Sequence, residues 1–253
     1  MKYIVTADTD IGISKSTNQD SALIKHASYG EDEIVLAIVC DGMGGLSKGE
    51  VASAMVIRRF ADWFDRELPA EIDHLDLNVV AEMWRKMLTD LNVRIHAYAK
   101  PLGISMGTTF CGILIANDSY LIGNVGDSRL YYIGSNMNQL TTDQSFVARE
   151  ISRGTMTPEQ AKVDKRRNLL LQCVGASDTV DPQIIIGQAE RGAYMICSDG
   201  FRHEIDEREM YESLNPVNLI NKNAMHSNVK YLINLVKKRN ERDNITVVLI
   251  KAM

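Results

Sequence analysis

Three strand-like segments stand almost end to end at residues 109–116, 119–125 and 128–133, parted only by Asn117-Asp118 and Gly126-Asp127. Links of this length and composition read as hairpin turns, and strands joined so briefly run antiparallel. A doubly wound parallel sheet, whose crossovers need a dozen residues or more, is thereby excluded. Helical periodicity surrounds these strands. Val51, Met55, Val56, Phe60, Trp63 and Phe64 recur at helical spacing between Glu50 and Leu68, where Pro69 is expected to end the helix. A second stripe, Leu77, Val80, Trp84, Leu88, Leu91 and Ile95, runs to Lys100 and reads as a face packed on a sheet. Shorter helices are expected over 145–151 and from Thr157, with two more over 206–214 and 216–238. The expectation is one domain over residues 1–253, of α+β class, with antiparallel sheets covered by helices.

Within this frame, aspartates recur where strands end. The apolar run Ile34 to Cys40 delivers Asp41-Gly42, and Tyr194 to Ser198 delivers Asp199-Gly200. Asp127 and Asp243 each stand beside a strand, and Asp20 precedes the one expected over 20–25. A single Asp-Gly is ordinary turn chemistry. Five carboxylates so placed, with no matching set of histidine or cysteine ligands, point to an oxygen-lined site for magnesium or manganese rather than zinc.

The formal charge of −5 leaves no basic surplus to hold a nucleic-acid backbone. No apolar run reaches the ~20 residues that span a bilayer, and charge interrupts the N-terminus too early for a signal peptide, so a cytoplasmic protein without membrane association is expected. Cys40, Cys111, Cys173 and Cys197 lie in apolar runs without CxxC spacing and read as free buried thiols. Lys162, Lys165, Arg166 and Arg167 form a basic cluster that reads most simply as a solvated face.

The order of the motifs carries a resemblance. Gly12 to Asp20 (GISKSTNQD), Val39 to Gly45 (VCDGMGG), Gly107-Thr108-Thr109, Val125 to Arg129 (VGDSR), Thr141 to Ser145 (TTDQS), Cys197 to Gly200 (CSDG) and Asp243 to Thr246 (DNIT) follow one another across nearly the whole chain. In this the chain resembles the metal-dependent PP2C-type (PPM) serine/threonine protein phosphatases in their bacterial form.

The resemblance implies a four-layer α-β-β-α sandwich with two central, mostly antiparallel sheets. It implies hydrolysis of phosphoserine and phosphothreonine by a metal-activated water, with two and up to three Mn2+ or Mg2+ ions. Asp41 and the Gly42 carbonyl, with Asp199 and Asp243, would hold two ions; Asp127 with Asp199 would hold the third. Asp20 would orient water from behind the ligands, and Lys15, where the family usually has arginine, would meet the substrate phosphate. Asn244 would brace the ligand turn, Thr108 and Thr109 would support their strand, and the region around the basic cluster would form a flap beside the cleft. Met43 and Gln144 stand where histidines are common elsewhere in the family, and the sequence offers no physical account of Gln144. The partners implied are phosphorylated proteins, the products of a serine/threonine kinase, met by a monomer. Two other readings are a PP2C-fold binding module with little turnover and a hydrolase of small phosphoesters. The chain lacks the Cys-x5-Arg loop of enzymes that work through a covalent cysteine nucleophile.

Overall fold

The computed structural model describes residues 1–43 and 48–253; Gly44 and Gly45 of the VCDGMGG motif lie outside the described residues. Twelve strands occur among them: β1 (Tyr3–Asp10), β2 (Ser21–Tyr29), β3 (Asp32–Cys40), β4 (Gly42–Met43), β5 (Gly107–Thr108), β6 (Phe110–Ala116), β7 (Ser119–Val125), β8 (Arg129–Ile133), β9 (Met137–Gln139), β10 (Gln183–Gln188), β11 (Gly192–Cys197) and β12 (Ile245–Ala252). The helices are α1 (Gly49–Arg66), α2 (Leu68–Glu71), α3 (Leu77–Ala99), α4 (Phe146–Ser152), α5 (Pro158–Val163), α6 (Asp199–Arg202), α7 (Glu207–Leu214) and α8 (Lys222–Lys238).

One five-stranded sheet has the order β1-β12-β11-β8-β9 and the other β10-β7-β6-β3-β2, while β4 and β5 pair as a short ribbon between them in sequence. Their pairings are antiparallel throughout. Strand alternation sorts the core into three slabs. In β3, Leu36, Ile38 and Cys40 face α1 and α3, meeting Phe60, Trp63, Trp84 and Leu88. Val35, Ala37 and Val39 face the other sheet and meet Tyr194, Ile196, Val248 and Ile250. The far side of that second sheet, with Met195, Val247 and Leu249, is covered by Met210, Val229 and Leu232 of α7 and α8. Each sheet is thus buried on both faces, which is why its strands are apolar without alternation and why helices must cover the outside. The α-β-β-α sandwich expected from the resemblance is the fold.

Three local readings need correction. Asn117 and Asp118 do form a hairpin turn, both in the left-handed region at φ 49° and 56°. Gly126-Asp127 does not: β7 pairs with β6 and β10, whereas β8 belongs to the other sheet and pairs with β11 and β9. The short link is a crossing between layers. It turns at Gly126, whose φ of +101° and contact with Thr109 leave no space for a side chain. The long helix expected to run from Glu50 to Leu68 stops slightly earlier, at Arg66, and Pro69 sits in the first turn of a separate short α2, where a missing N–H costs nothing. Finally, the helix expected from Pro216 begins only at Lys222, because the Asn221 side chain accepts the Ala224 N–H and fixes the start there.

Candidate active site

Register brings the carboxylates together. Ser21 pairs with Cys40, and Phe110 with Val125, so the turns carrying Asp20, Asp41 and Asp127 leave the same end of one sheet. In the other sheet Asp10 pairs with Ile245, and Cys197 with both Val247 and Arg129, so Asp199 and Asp243 leave the matching end. A hydrogen bond joins the two ends, from Ser198 Oγ to Asp20 Oδ2 at 3.0 Å.

Asp41 is held by its backbone rather than its side chain. Its N–H donates to Thr109 Oγ1 at 2.9 Å, and its carbonyl accepts from the Thr109 N–H at 2.9 Å and from Thr108 Oγ1 at 3.0 Å. Both threonines therefore act as supports, as the sequence reading has them, and among the described residues no hydrogen bond engages either carboxylate oxygen of Asp41. Gly42 follows with its Cα pressed against the backbone carbonyls of Gln19 and Gly49, where a Cβ would collide. Asn244 braces the neighbouring loop: its Oδ1 accepts the Gln19 N–H at 2.9 Å, and its Nδ2 donates to the carbonyls of Ile11 at 2.9 Å and Thr17 at 3.2 Å.

The electrostatics are those of crowded like charge. Burial, and after it the nearby Asp20, Asp199, Asp127 and Asp243, push the Asp41 carboxyl well above the usual range. Burial likewise lifts Asp20 to about 7 against its hydrogen bonds from Thr246 and Ser198, and lifts Asp127 to about 6 with Asp199 adding to the effect. Two buried oxygens, Asp20 Oδ1 and Asp199 Oδ1, have no hydrogen-bond partner among the described residues. Among the described residues no three carboxylate, imidazole or thiol groups already converge as closely as the ligands of one ion. Orphaned anionic oxygens pressed together at a protein edge fit a hard cation, since it would satisfy the oxygens and remove the repulsion at once. The donor set suits such an ion.

Lys15 does not trail into solvent. Its Nζ lies 2.7 Å from Asp243 Oδ1, with the side chain 41% exposed, so the ammonium caps a candidate ligand while the side chain keeps access to solvent. Although burial works against its charge, the bond to Asp243 and the fields of Asp41 and Asp199 raise its pKa.

Several site residues carry roles that sequence reasoning did not assign. Arg202, one turn after Asp199 in α6, places Nη2 3.0 Å from the Asp127 carbonyl and 3.4 Å from Asp127 Oδ2. Arg129 holds Asp143 through two bonds of 2.8 Å. His203 lies with Nε2 3.4 Å from Asp199 Oδ2 and Nδ1 3.4 Å from Glu241 Oε2. Burial opposes its charge, but Glu241 and Asp199 outweigh that and raise its pKa. The available signal was position, since Ser198, Arg202 and His203 flank the aspartate of an Asp-Gly turn. Gln144 also gains an account: its Oε1 accepts the Gly126 N–H and its N–H donates to the Gly126 carbonyl, each at 2.8 Å, pinning the crossing that carries Asp127.

Beside the carboxylates a cleft of about 760 Å³ opens between the segment around α4 and α5 and the sheet ends, with Lys162, Arg167 and Arg242 among its lining. The basic cluster divides. Lys162 and Arg167 face this cleft, whereas Arg166 pairs with Asp164 at 2.8 Å and stacks 4.1 Å from the Phe146 ring centre, and Lys165 is exposed elsewhere.

Comparison with known proteins agrees with this geometry. The family model described as Protein phosphatase 2C matches residues 13–245. The serine/threonine phosphatase stp of Listeria welshimeri is 30% identical over 248 residues, covering 96% of this chain and 93% of that protein. The crystal structure of serine/threonine phosphatase Stp1 from Staphylococcus aureus superposes with a TM-score of 0.86 at 28% identity, covering 100% of this chain and 96% of that one. The catalytic domain of the serine/threonine protein phosphatase PstP, in complex with two manganese ions, gives a TM-score of 0.78 at 28% identity over 98% of this chain and 97% of its own. No helix among the described residues is long and apolar enough to cross a membrane. The aspartate-rimmed sandwich and these likenesses lead to one conclusion: the chain belongs to the protein phosphatase 2C family and is a divalent-metal-dependent protein serine/threonine phosphatase.

Proposed function

We propose that this protein removes phosphate from phosphoserine and phosphothreonine of proteins modified by a serine/threonine kinase, using two divalent ions held by Asp41, the Gly42 carbonyl, Asp199 and Asp243. The observation that carries the ligand assignment is that these carboxylates lie at one end of both sheets, with Asp199 Oδ1 and the neighbouring Asp20 Oδ1 buried without donors among the described residues. Two manganese ions in the related PstP domain support the same count and make Mn2+ the first choice, with Mg2+ the alternative.

Bound divalent ions supply neutralisation of phosphoryl charge and a water acidic enough to attack near neutral pH. The chain's own residues supply position. Thr108 and Thr109 fix the Asp41 backbone so that its carboxylate needs no reorganisation. Asp20, anchored by Ser198, aims its free Oδ1 into the cluster and can accept a proton or orient water there. Lys15, partly exposed beside Asp243, is a point charge suited to phosphate, although it lacks the two-pronged grip of arginine. Asp127 differs from the other carboxylates in already carrying a guanidinium. A monomer acting in the cytoplasm is the working assignment.

The test is hydrolysis of phosphopeptides and of a small aryl phosphate with Mn2+ or Mg2+, before and after a chelator. Asp41→Asn, Asp199→Asn and Asp243→Asn should each lose most activity, on the order of 10²-fold or more, while keeping the fold. Wild-type rates in these variants would overturn the ligand assignment. Preference for the small ester would favour the phosphoester reading, and no turnover with any metal would favour a binding module.

A further inference from the structure

The resemblance places a third ion on Asp127 and Asp199, but the surroundings of Asp127 do not fit one. Its carboxylate shares a closed set of charges: Asp127 and Asp143 are the anions, Arg202 and Arg129 the cations. Arg202 Nη2 lies 3.0 Å from the Asp127 carbonyl, 3.4 Å from its Oδ2 and 3.7 Å from Asp143 Oδ2, while Arg129 binds Asp143 from the other side. These four groups sum to zero, so Asp127 already has its counter-charge beside it, and the negative charge left nearby is that of Asp199. A guanidinium cannot be deprotonated in a protein, so an arriving ion could not be accommodated by loss of its proton. Nor is Arg202 free to leave: its side chain is 13% exposed, and its helical turn is anchored by fully buried Phe201. The other carboxylate that a third ion would share, Asp199, has the His203 imidazole 3.4 Å away on the same side of the turn.

We infer that the Arg202 guanidinium is the resident counter-charge of Asp127, standing in the place of a third ion, so that the protein loads metal on Asp41, Asp199 and Asp243 and none on Asp127. This rests on the ligand assignment proposed above. Arg202 is thereby a positioning residue: it keeps Asp127 in place without metal and confines loading to the two-ion centre.

Manganese counting decides the matter without reference to turnover. The full-length protein, its folding checked by thermal melt, is dialysed to equilibrium with excess Mn2+ and the bound metal measured. Asp127→Asn should leave the wild-type count unchanged, whereas Arg202→Met should add about one ion per chain and Arg202→Met combined with Asp127→Asn should remove that gain. Arg202→Lys, which keeps the charge, should not add one. A wild-type count that falls by one in Asp127→Asn, or an Arg202→Met protein with no added ion, overturns the inference. Should Arg202→Met fail to fold, the Asp127→Asn count still decides. Asp41→Asn separates the underlying reading: if it binds as much metal as wild type, the ligand assignment itself fails, whatever happens at Asp127.

Discussion

At Asp243 the resident Lys15 would compete with a bound metal for one carboxylate. Lys15 holds Oδ1 at 2.7 Å, and the same oxygen accepts the Asn244 N–H at 2.8 Å, so only Oδ2 is without a hydrogen-bond partner among the described residues. If Lys15 also meets the substrate phosphate, Lys15→Ala should have two opposite effects. KM should rise about three- to tenfold with a smaller change in kcat, because a charge contact present in ground and transition states alike is lost. Apparent affinity for Mn2+ should rise by up to about fivefold, since a partly exposed ion pair of at most ~1 kcal/mol no longer opposes the metal. Steady-state kinetics and metal titration read these separately; an unchanged KM would assign Lys15 to Asp243 alone. The sequence reading placed Lys15 in the loop but gave it only the phosphate, because its partner is 228 positions away and becomes a neighbour only through the pairing of β1 with β12. Gln144 was opaque for the same reason. A glutamine that closes both polar groups of a glycine backbone leaves no mark in local sequence.

The turns between elements explain why some readings held and the Gly126-Asp127 hairpin did not. Strand ends were legible because apolar runs stop abruptly at Asp41 and Asp199, and helix stripes were legible because α1 and α3 bury one face each. The Gly126-Asp127 link looked like a hairpin because turn chemistry records tightness of bend, not which sheet the next strand joins. That choice is made by contacts distant in sequence. Thr109 Oγ1 accepts the Asp41 N–H at 2.9 Å and lies 2.7 Å from Ser128 Oγ, tying the end of β3 to the start of β8 across the crossing. Thr109→Val keeps the shape and removes the hydroxyl, leaving the buried Asp41 N–H unpaired. We expect a loss of about 1–3 kcal/mol in urea unfolding of the metal-free protein, together with weaker Mn2+ binding because Asp41 is no longer held in register. Unchanged stability and affinity would mean that the Thr108 bond to the Asp41 carbonyl suffices. Thr109→Ser, which restores the hydroxyl, should recover most of both.

For the molecule as a whole, the site is a concentration of negative charge that the fold tolerates at a cost. Antiparallel sheets covered by helices could be read from turn spacing and periodicity, and the four-layer sandwich from the resemblance that the motif order carries, but the electrostatic state of its edge could not, since it depends on how deeply each carboxylate is buried. Asp20 is raised to about 7 and Asp127 to about 6, burial being the first cause in each, and Asp41 is raised well above the usual range. For an acid whose folded pKa exceeds its unfolded value near 4, the folded state binds more protons between the two values, and stability therefore falls as pH rises through that window. Asp20 and Asp127 thus contribute stability that is fully present below about pH 4 and is lost by about pH 7. Acid unfolding elsewhere, driven by carboxylates such as Glu209 that are lowered to about 2 by Arg239, limits the gain at the acidic end. The metal-free protein should therefore melt several degrees higher at pH 5 than at pH 8, at roughly 2–4 °C per kcal/mol for a chain of this size. Saturating Mn2+ should reverse the slope. Bound cations favour the ionised carboxylates, so the stabilisation by metal should be small at pH 5 and grow towards pH 8. Calorimetry of the chelated and Mn2+-loaded protein across this range checks both slopes together, and a metal-free melting temperature that is flat or rising from pH 5 to pH 8 would show that these aspartates do not titrate as a crowded, buried set.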